Sequence, residues 1–221
     1  MEAFSYSVAH DLRAPLRAVD GFSRILVEEH GPQLPAEAQR YLGLVRSNAL
    51  QMGLLVDDLL ALSRLGRQVM TVETVASAQL VRDALDLLRP EQAERNVQLT
   101  VGDLPACRGD RGLLKQVFVN LLANALKFTR LRDPAIIEVS CRRQDGEDVF
   151  FVRDNGVGFD MHYVAKLFGV FQRLHRMEDY AGTGIGLAIV QRIVRRHGGR
   201  VWAEGALDKG ATFYFTLSRE P

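Results

Sequence analysis

The sequence lacks several features that identify large classes of proteins. It has two cysteines, Cys107 and Cys141, in 221 residues, and their separation fits neither a metal site nor a disulfide framework. Its formal net charge is +1, which argues against a nucleic-acid-binding protein. It has no apolar run near the about 18 to 20 residues that cross a bilayer, so we expect no membrane segment and a cytoplasmic location. Because 47% of its residues are hydrophobic, apolar cores are expected.

The first third of the chain has the pattern of two amphipathic helices. Apolar residues recur three and four positions apart, first at Phe4, Val8, Leu12, Leu16, Val19, Phe22 and Leu26, then at Tyr41, Val45, Met52, Val56 and Leu59. Gly31–Pro35 interrupts the pattern, so an antiparallel hairpin is expected. One hairpin cannot bury a stripe this wide, and residues 1–66 are therefore predicted to pair with a second copy as a dimeric four-helix bundle.

From about residue 70 the pattern becomes mixed. Stretches rich in β-branched or aromatic residues predict strands at 69–75, 97–101, 136–141, 149–152, 200–203 and 212–217. Helical patterns occupy 77–94, 110–129 and 185–197. This order predicts an α+β domain at 73–221, in which helices cover one face of a mixed, mostly antiparallel sheet. Residues 67–72 are the expected linker, just after Gly66.

The helix predicted at 110–129 carries one polar line. Gln116, Asn120 and Asn124 are four residues apart and Lys127 follows at three, so all four share a face. Asn is unfavourable in the middle of a helix, so the presence of two asparagines on this face needs an explanation. The line is either a solvated face or a site where amide oxygens hold a hard cation such as Mg²⁺ while Lys127 neutralises phosphate.

A carboxylate and two glycine segments follow. Asp154, Gly156 and Gly158 come directly after an apolar strand; an ordinary Asn-Gly hairpin turn and a ligand site both fit this pattern. Residues 182–187 carry three alternating glycines at the start of a helix, where free N–H groups favour phosphate. Their spacing is not a Rossmann fingerprint, and the chain has no Gly-Lys-Ser/Thr of a P-loop.

His10 lies off the apolar stripe of the first helix. A lone exposed histidine is usually a surface residue, but three neighbours favour a presented nucleophile. Asp11 would orient the imidazole, Arg13 supplies a cation, and Pro15 removes the backbone hydrogen bond to the Asp11 carbonyl.

Taken in order, these elements resemble the sensor histidine kinases of two-component systems, over about residues 4–217. The similar segments are Phe4–Pro15 (the H box), Asn120–Phe128 (the N box), Asp154–Gly158 (the first glycine box), Phe168–Arg173 (the F box), Gly182–Leu187 (the second glycine box) and Gly210–Phe215 (the closing strand). The resemblance implies a dimerisation and histidine phosphotransfer domain, followed by an α/β sandwich that binds ATP, of the Bergerat type.

The resemblance also implies roles for individual residues. His10 would be phosphorylated by ATP, Asp11 would orient it, and Arg173, in a mobile lid near 166–183, would meet the γ-phosphate. Mg²⁺ would be bound at Asn124. The nucleotide-binding set would be Asn120, Asn124, Lys127, Phe128, Asp154, Gly156, Gly158, Gly182, Thr183, Gly184, Gly186 and Leu187.

The implied partners are a second copy of the chain, a response-regulator receiver domain that takes the phosphoryl group on an aspartate, and an upstream sensor domain. The first helix has no capping residue before Phe4, so we expect it to continue upstream in a longer protein, which could be tethered to a membrane.

One position departs from the family pattern. Many relatives carry Thr or Asn four residues after the histidine, whereas this chain has Ala14, which predicts weak phosphatase activity toward the regulator. Three alternative functions remain. They are an ATPase of the type found in DNA gyrase, mismatch-repair proteins and a heat-shock chaperone, a phosphatase-biased member, and a dimeric scaffold without catalysis.

Overall fold

A computed structural model describes residues 2–66, 69–93, 95–175, 179–180 and 182–218, with side chains from residue 12 onward. The chain divides into two compact units, Met1–Gln68 and Val69–Pro221. Of the expected linker at 67–72, positions 67 and 68 lie outside the described residues.

The first unit is a helical hairpin. Helix α1 spans Glu2–His30 and helix α2 spans Ala36–Leu65, with a 3₁₀ turn at Gly31–Gln33 between them. Helix α1 continues through Pro15. Pro35 stands at the N-cap of α2 with an extended backbone (φ −54°, ψ 146°), which ends the turn and lets α2 begin. The two long helices and the loop follow the apolar spacing of the sequence.

A small apolar cluster and two ion pairs hold the hairpin together. Leu16 of α1 packs against the buried Val56 and Leu60 of α2. Arg13 pairs with Asp57, and Arg46 Nε lies 3.1 Å from Asp20 Oδ1. Both pairs are partly exposed, and such pairs contribute little to stability. The apolar contact between the helices is therefore the main term inside the hairpin.

Most of the apolar stripe is not buried within the hairpin. Phe22 is 68% exposed and Leu54 is 60% exposed. The large apolar residues left exposed in this unit are Leu12, Val19, Phe22, Ile25, Leu26, Tyr41, Leu44, Val45, Leu50, Met52 and Leu54. An exposed surface of this size marks an interaction site. The hairpin is thus incomplete as an isolated packing unit, as the sequence pattern indicates.

The second unit is a mixed sheet with helices. Its strands are β1 (Glu73–Val75), β2 (Val97–Val101), β3 (Cys107–Gly109), β4 (Ala135–Gln144), β5 (Glu147–Asp154), β6 (Val201–Ala206) and β7 (Gly210–Phe215). Its helices are α3 (Ser77–Leu87), α4 (Arg89–Gln92), α5 (Arg111–Phe128) and α6 (Gly186–Arg196), with a 3₁₀ turn at Met161–Lys166. The main sheet has the order β2-β4-β5-β7-β6; β2 and β4 are parallel, the other neighbours are antiparallel, and β1 pairs separately with β3.

The core of this unit lies between the sheet and helix α5. Phe118 of α5 contacts Phe150 of β5 and Phe215 of β7, at ring-centroid distances of 6.5 and 5.6 Å. Since side chains alternate along a strand, Phe151 and Tyr214 point to the other face, where Tyr214 stacks on Trp202 at 5.2 Å. Helices α3 and α6 flank α5. This packing confirms the α+β class with helices on one face.

Two predicted elements differ in the structure, and one strand is additional. The strand expected at 69–75 is limited to Glu73–Val75, and β3 was not predicted. The helix expected at 77–94 is broken at Leu88, because Pro90 has no backbone N–H to donate and cannot continue the hydrogen bonds of α3. Among the described residues, no helix is both long and apolar enough to cross a membrane.

The exposed hairpin stripe generates the first prediction. At micromolar concentration the chain should be a dimer by light scattering, and Phe22→Asp should weaken dimerisation at least about a hundredfold, since two buried rings are lost per dimer. Leu131→Asp is the matched control, because Leu131 is 74% exposed in the other unit, and it should leave the dimer intact. A wild-type chain that is monomeric under these conditions would contradict the prediction.

Candidate functional site

The start of helix α5 is fixed by Asp110. One carboxylate oxygen of Asp110 accepts from the Leu113 N–H at 3.1 Å, and the other accepts from the Thr71 N–H at 3.0 Å. The Asp110 N–H donates to His197 Nε2 at 3.0 Å. His197 is buried and its Nδ1 donates to the Ile193 carbonyl at 2.8 Å, while burial lowers its pKa and keeps the ring neutral. These bonds set the position of the helix that carries the polar line.

The polar line of α5 faces the first turn of α6. Gln116, Asn120 and Asn124 are all half-buried. Asn120 Nδ2 donates to the Gln116 carbonyl at 2.8 Å, and its Oδ1 lies 2.8 Å from the position that a Cβ at Gly186 would occupy. A Cβ at this position would require the Asn120 side chain to move. The line is therefore not an ordinary solvated face.

At the C-terminal end of this line, Lys127 and Arg173 come together. Lys127 Nζ lies 4.5 Å from the centroid of the Phe128 ring and 3.1 Å from the Cβ position at Gly182. Burial lowers the pKa of Lys127, and the positive charge of Arg173 lowers it further. Arg173 donates to the carbonyl oxygens of Tyr180 and Gly182. A bound anion would relieve this repulsion between two cations.

Asp154 ends strand β5 as a buried carboxylate. It is 5% exposed, and its Oδ1 accepts from the Gly156 N–H at 2.8 Å. Burial raises the pKa of Asp154 to about 6, although the backbone N–H groups of Gly156 and Ala211 act in the opposite direction. A buried acceptor of this kind is stabilised when a ligand donates a hydrogen bond to it.

The loop after Asp154 needs its glycines because other backbone segments lie against it. A Cβ at Gly156 would lie 2.7 Å from the Phe128 carbonyl oxygen, and one at Gly158 (φ +60°) would lie 1.9 Å from the Ala206 carbonyl oxygen. The Asp208 N–H also donates to the Val157 carbonyl at 2.8 Å. Gly156 and Gly158 are therefore structurally required, and the loop is held between α5 and the β6–β7 turn.

Arg132 supports this loop and was not identified from the sequence. One of its terminal nitrogens donates to the carbonyl oxygens of Gly156 and Asp208, both at 3.1 Å, and lies 3.2 Å from the Asp208 carboxylate. It follows the N-box segment by four residues, and no spacing or composition signal marks it.

The second glycine segment leads into helix α6. Gly182 (φ +144°) and Gly184 (φ +76°) adopt backbone angles that other residues rarely take, and a Cβ at Gly184 would lie 2.9 Å from the Gln172 carbonyl oxygen. Thr183 Oγ1 accepts from the Ile185 N–H at 3.4 Å. Helix α6 has no side-chain cap and no acidic residue in its first turn, where Leu187 is half-buried. Its N–H groups are suited to an anion.

The structure thus brings most of the predicted residues of the second unit together. Asn120 meets Gly186, Lys127 meets Gly182 near Arg173, and Phe128 meets the Asp154 loop. His10 and Asp11 lie in helix α1, but the structure does not describe their side chains. In the segment 166–183, residues 176–178 and 181 also lie outside the described residues. Among the described residues, no group of three or more His, Cys, Asp or Glu forms a metal site.

This set of donors fits a nucleotide with Mg²⁺. A buried carboxylate would accept from a base, and two cations and a helix N-terminus would hold phosphates. Mg²⁺ usually keeps water and phosphate oxygens among its ligands, so the amide oxygen of Asn124 would complete its coordination rather than form a separate protein site.

Both halves of the chain match known families. Residues 109–221, just over half of the chain, match the family described as histidine kinase-, DNA gyrase B- and HSP90-like ATPase. Residues 1–68 match the His Kinase A (phospho-acceptor) domain.

Curated relatives match along nearly the whole chain. Cyanobacterial phytochrome A of Nostoc sp. is 37% identical over 217 residues, which are 98% of this chain and 28% of that protein. Methanogenesis regulatory histidine kinase FilI of Methanothrix harundinacea is 38% identical over 218 residues, 98% of this chain and 24% of that protein. The chain therefore spans less than a third of these relatives.

Solved structures of histidine kinases are similar to this chain in fold. Full-length ShkA in complex with AMPPNP is 29% identical with a TM-score of 0.71, covering 98% of this chain and 46% of that one. Acinetobacter baumannii histidine kinase AdeS has the same fold, with a TM-score of 0.67 and 21% sequence identity. The match covers 96% of this chain and 98% of that one. The chain belongs to the sensor histidine kinases, with a phosphoacceptor domain of the His Kinase A type followed by a histidine kinase-type ATPase domain.

Proposed function

We propose that the protein transfers the γ-phosphoryl group of ATP to His10 and then to an aspartate of a separate response-regulator receiver domain. The observation that carries this proposal is that Lys127, Arg173 and the uncapped start of α6 all lie along the polar line of helix α5. A nucleotide site of this kind, in a chain that also has a His Kinase A hairpin, supports a histidine kinase rather than an ATPase alone.

The base end of the proposed site is formed by Asp154 and its loop. The carboxylate would accept from the exocyclic amino group of adenine, with Gly156 and Gly158 lining the base and the Phe128 ring beside it. Burial supports this role, because a carboxylate removed from water discriminates strongly between a base that donates and one that does not.

The phosphate end is formed by α5, Arg173 and the start of α6. Asn120, Asn124 and Lys127 would face the phosphates from α5, with Mg²⁺ bound at Asn124. The backbone of the segment from Gly182 through Thr183, Gly184, Gly186 and Leu187 would approach from the other side, where the helix dipole favours negative charge. Phosphoryl transfer depends mainly on such positioning and charge neutralisation.

His10 would be the nucleophile. An imidazole with an ordinary pKa near 6.5 is mostly neutral at pH 7 or above, so one ring nitrogen has a free lone pair. That nitrogen would form the bond to the γ-phosphorus as the bond to the β–γ bridging oxygen breaks and ADP leaves. Asp11 would accept a hydrogen bond from the other ring nitrogen, which orients the ring, and would take that proton as the phosphohistidine forms, while Arg173 would offset the charge on the transferred group.

The proposal extends to organisation and partners. We propose 1–66 as the dimerisation and phosphotransfer domain, 67–72 as a linker and 73–221 as the catalytic domain; the division into compact units at 68/69 supports this. The exposed hairpin stripe supports a homodimer. The greater length of the relatives supports an upstream sensor domain. A cytoplasmic location is part of the same proposal, because a receiver domain and ATP would meet the chain there.

The direct test is incubation with γ-labelled ATP and Mg²⁺. We expect acid-labile, alkali-stable label on the protein, its loss in His10→Gln, and a decrease of at least about a hundredfold in Asn124→Ala, because the Mg²⁺ that would neutralise the phosphates loses its protein ligand. His30→Gln, in the last turn of the same helix, is the control and should label normally. Free phosphate without protein label would instead support a plain ATPase, and neither product would support a scaffold.

Asp154→Asn should raise the free energy of unfolding and lower the affinity for ATP. The pKa of Asp154 is raised above its unfolded value of 3.8 to about 6, so the folded state binds the proton more tightly and loses stability as the pH rises through this range. Above pH 7, Asp154→Asn should therefore be more stable than the wild type by about 2 to 3 kcal/mol. Its ATP affinity should fall about tenfold to a hundredfold.

The fluorescence of Trp202, the only tryptophan, reports urea unfolding of the second unit, and calorimetry gives the affinity. The stability difference should shrink as the pH falls through 6 and disappear only below about pH 3, where the carboxyl is protonated in the folded and in the unfolded state. Asp103→Asn, at an exposed position of the same unit, should change neither quantity. A destabilised Asp154→Asn at pH 8 would contradict the stated cause of the shift.

Ala14 generates a prediction about dephosphorylation of the regulator. It lies one helical turn after His10 and has no polar atom to hold a water molecule, so the unphosphorylated protein should dephosphorylate its regulator slowly. Ala14→Thr should accelerate this reaction at least about tenfold. Ala18→Thr, one turn further along, is the matched control and should have no effect. Rapid dephosphorylation by the wild type would contradict the prediction.

A further inference from the structure

His175 joins two parts of the nucleotide site, and none of the motifs above assigns it a role. Its Nε2 lies 2.9 Å from the carbonyl oxygen of Gly158, in the loop that follows Asp154. A carbonyl oxygen only accepts hydrogen bonds, so Nε2 carries the proton and donates it. The acceptor is itself held in place, because Gly158 lies against the Ala206 carbonyl. The bond therefore attaches His175 to a fixed point at the base end of the site.

The ring of His175 makes a second attachment. Its centroid lies 5.3 Å from that of Phe128, at the end of α5, and 5.5 Å from that of Tyr180, while Phe128 and Tyr180 lie 5.1 Å apart. Tyr180 is only 6% exposed, and the Arg130 guanidinium lies 4.6 Å from its ring centroid. Three rings thus form one aromatic cluster, in the range of distances at which such rings attract each other.

Arg173 connects this cluster to the phosphate end. Two residues before His175, it donates to the carbonyl oxygens of Tyr180 and Gly182, and Gly182 lies close to Lys127. One short segment is therefore bonded to the base loop through His175 and to the phosphate region through Arg173.

We infer that His175 is a positioning residue, which fixes Arg173 relative to the base loop before the nucleotide binds. This inference rests on the proposed function, since it takes the loop at Gly158 as the base site. Without the bond to Gly158, nucleotide binding would also have to order the segment, and part of the binding free energy would be lost. The effect should appear in affinity and KM, whereas turnover at saturating ATP should be preserved.

Two substitutions separate the hydrogen bond from the ring contact. His175→Phe keeps an aromatic ring and removes the donor; His175→Gln removes the ring and can place an amide N–H where Nε2 lies. We expect His175→Phe to weaken binding of the non-hydrolysable analogue AMPPNP about tenfold and to raise the KM for ATP equally, with kcat within about twofold. His175→Gln should remain within about threefold of the wild type, as should the control His162→Phe, at an exposed position on the 3₁₀ turn.

Several outcomes would overturn the inference. They are unchanged AMPPNP affinity in His175→Phe, equal losses in His175→Phe and His175→Gln, and an effect confined to kcat. Urea unfolding followed by Trp202 fluorescence checks that each variant folds. If His175→Phe does not fold, the AMPPNP affinities of His175→Leu and His175→Gln are compared instead, because only the glutamine has a donor. A wild-type chain that binds AMPPNP but labels no histidine removes only the kinase proposal, whereas one that binds no AMPPNP overturns this inference as well.

Discussion

Helix α5 is the element on which the rest of the catalytic domain depends. Its apolar side carries Phe118, which contacts two strands of the sheet, and its polar side carries the asparagines and Lys127. A change in the rotation or depth of this helix would therefore disturb the core and the site together. The capping bonds of Asp110, reinforced by the buried His197, fix where the helix begins and so fix the register of both faces.

The site contains electrostatic arrangements that are unfavourable without a ligand. Burial opposes the charge on Asp154, and both burial and Arg173 oppose the charge on Lys127. Each effect reduces the stability of the empty protein, yet each is relieved by a different part of one nucleotide. A base that donates a hydrogen bond would stabilise the carboxylate, and phosphates would stabilise the cations. Opposite perturbations within one unit are typical of functional sites, where stability is lost in exchange for binding.

The sequence was sufficient for the features that depend on local periodicity. The helical hairpin, helix α5 with its polar line, and the strand before Asp154 all follow from spacing and residue type. Strand β3 was missed because it has three residues and no alternation, and the break at Leu88 was missed although Pro90 marks it. Arg132 and His175 could not be identified in this way. Their contacts join residues 17 to 76 positions apart, which only the fold brings together.

The glycines of the site show why these distant contacts matter. A glycine lets backbone segments approach closely, but it also leaves the loop free to adopt many conformations. At Gly156 and Gly158 that freedom is removed from outside, by the Phe128 and Ala206 carbonyls and by donors on Arg132 and His175. Because part of this restraint comes from side chains outside the glycine boxes, two chains with identical boxes can differ in how well the base site is preorganised. Nucleotide affinity within the family should therefore vary with the residues at positions such as 132 and 175 as well as with the boxes themselves.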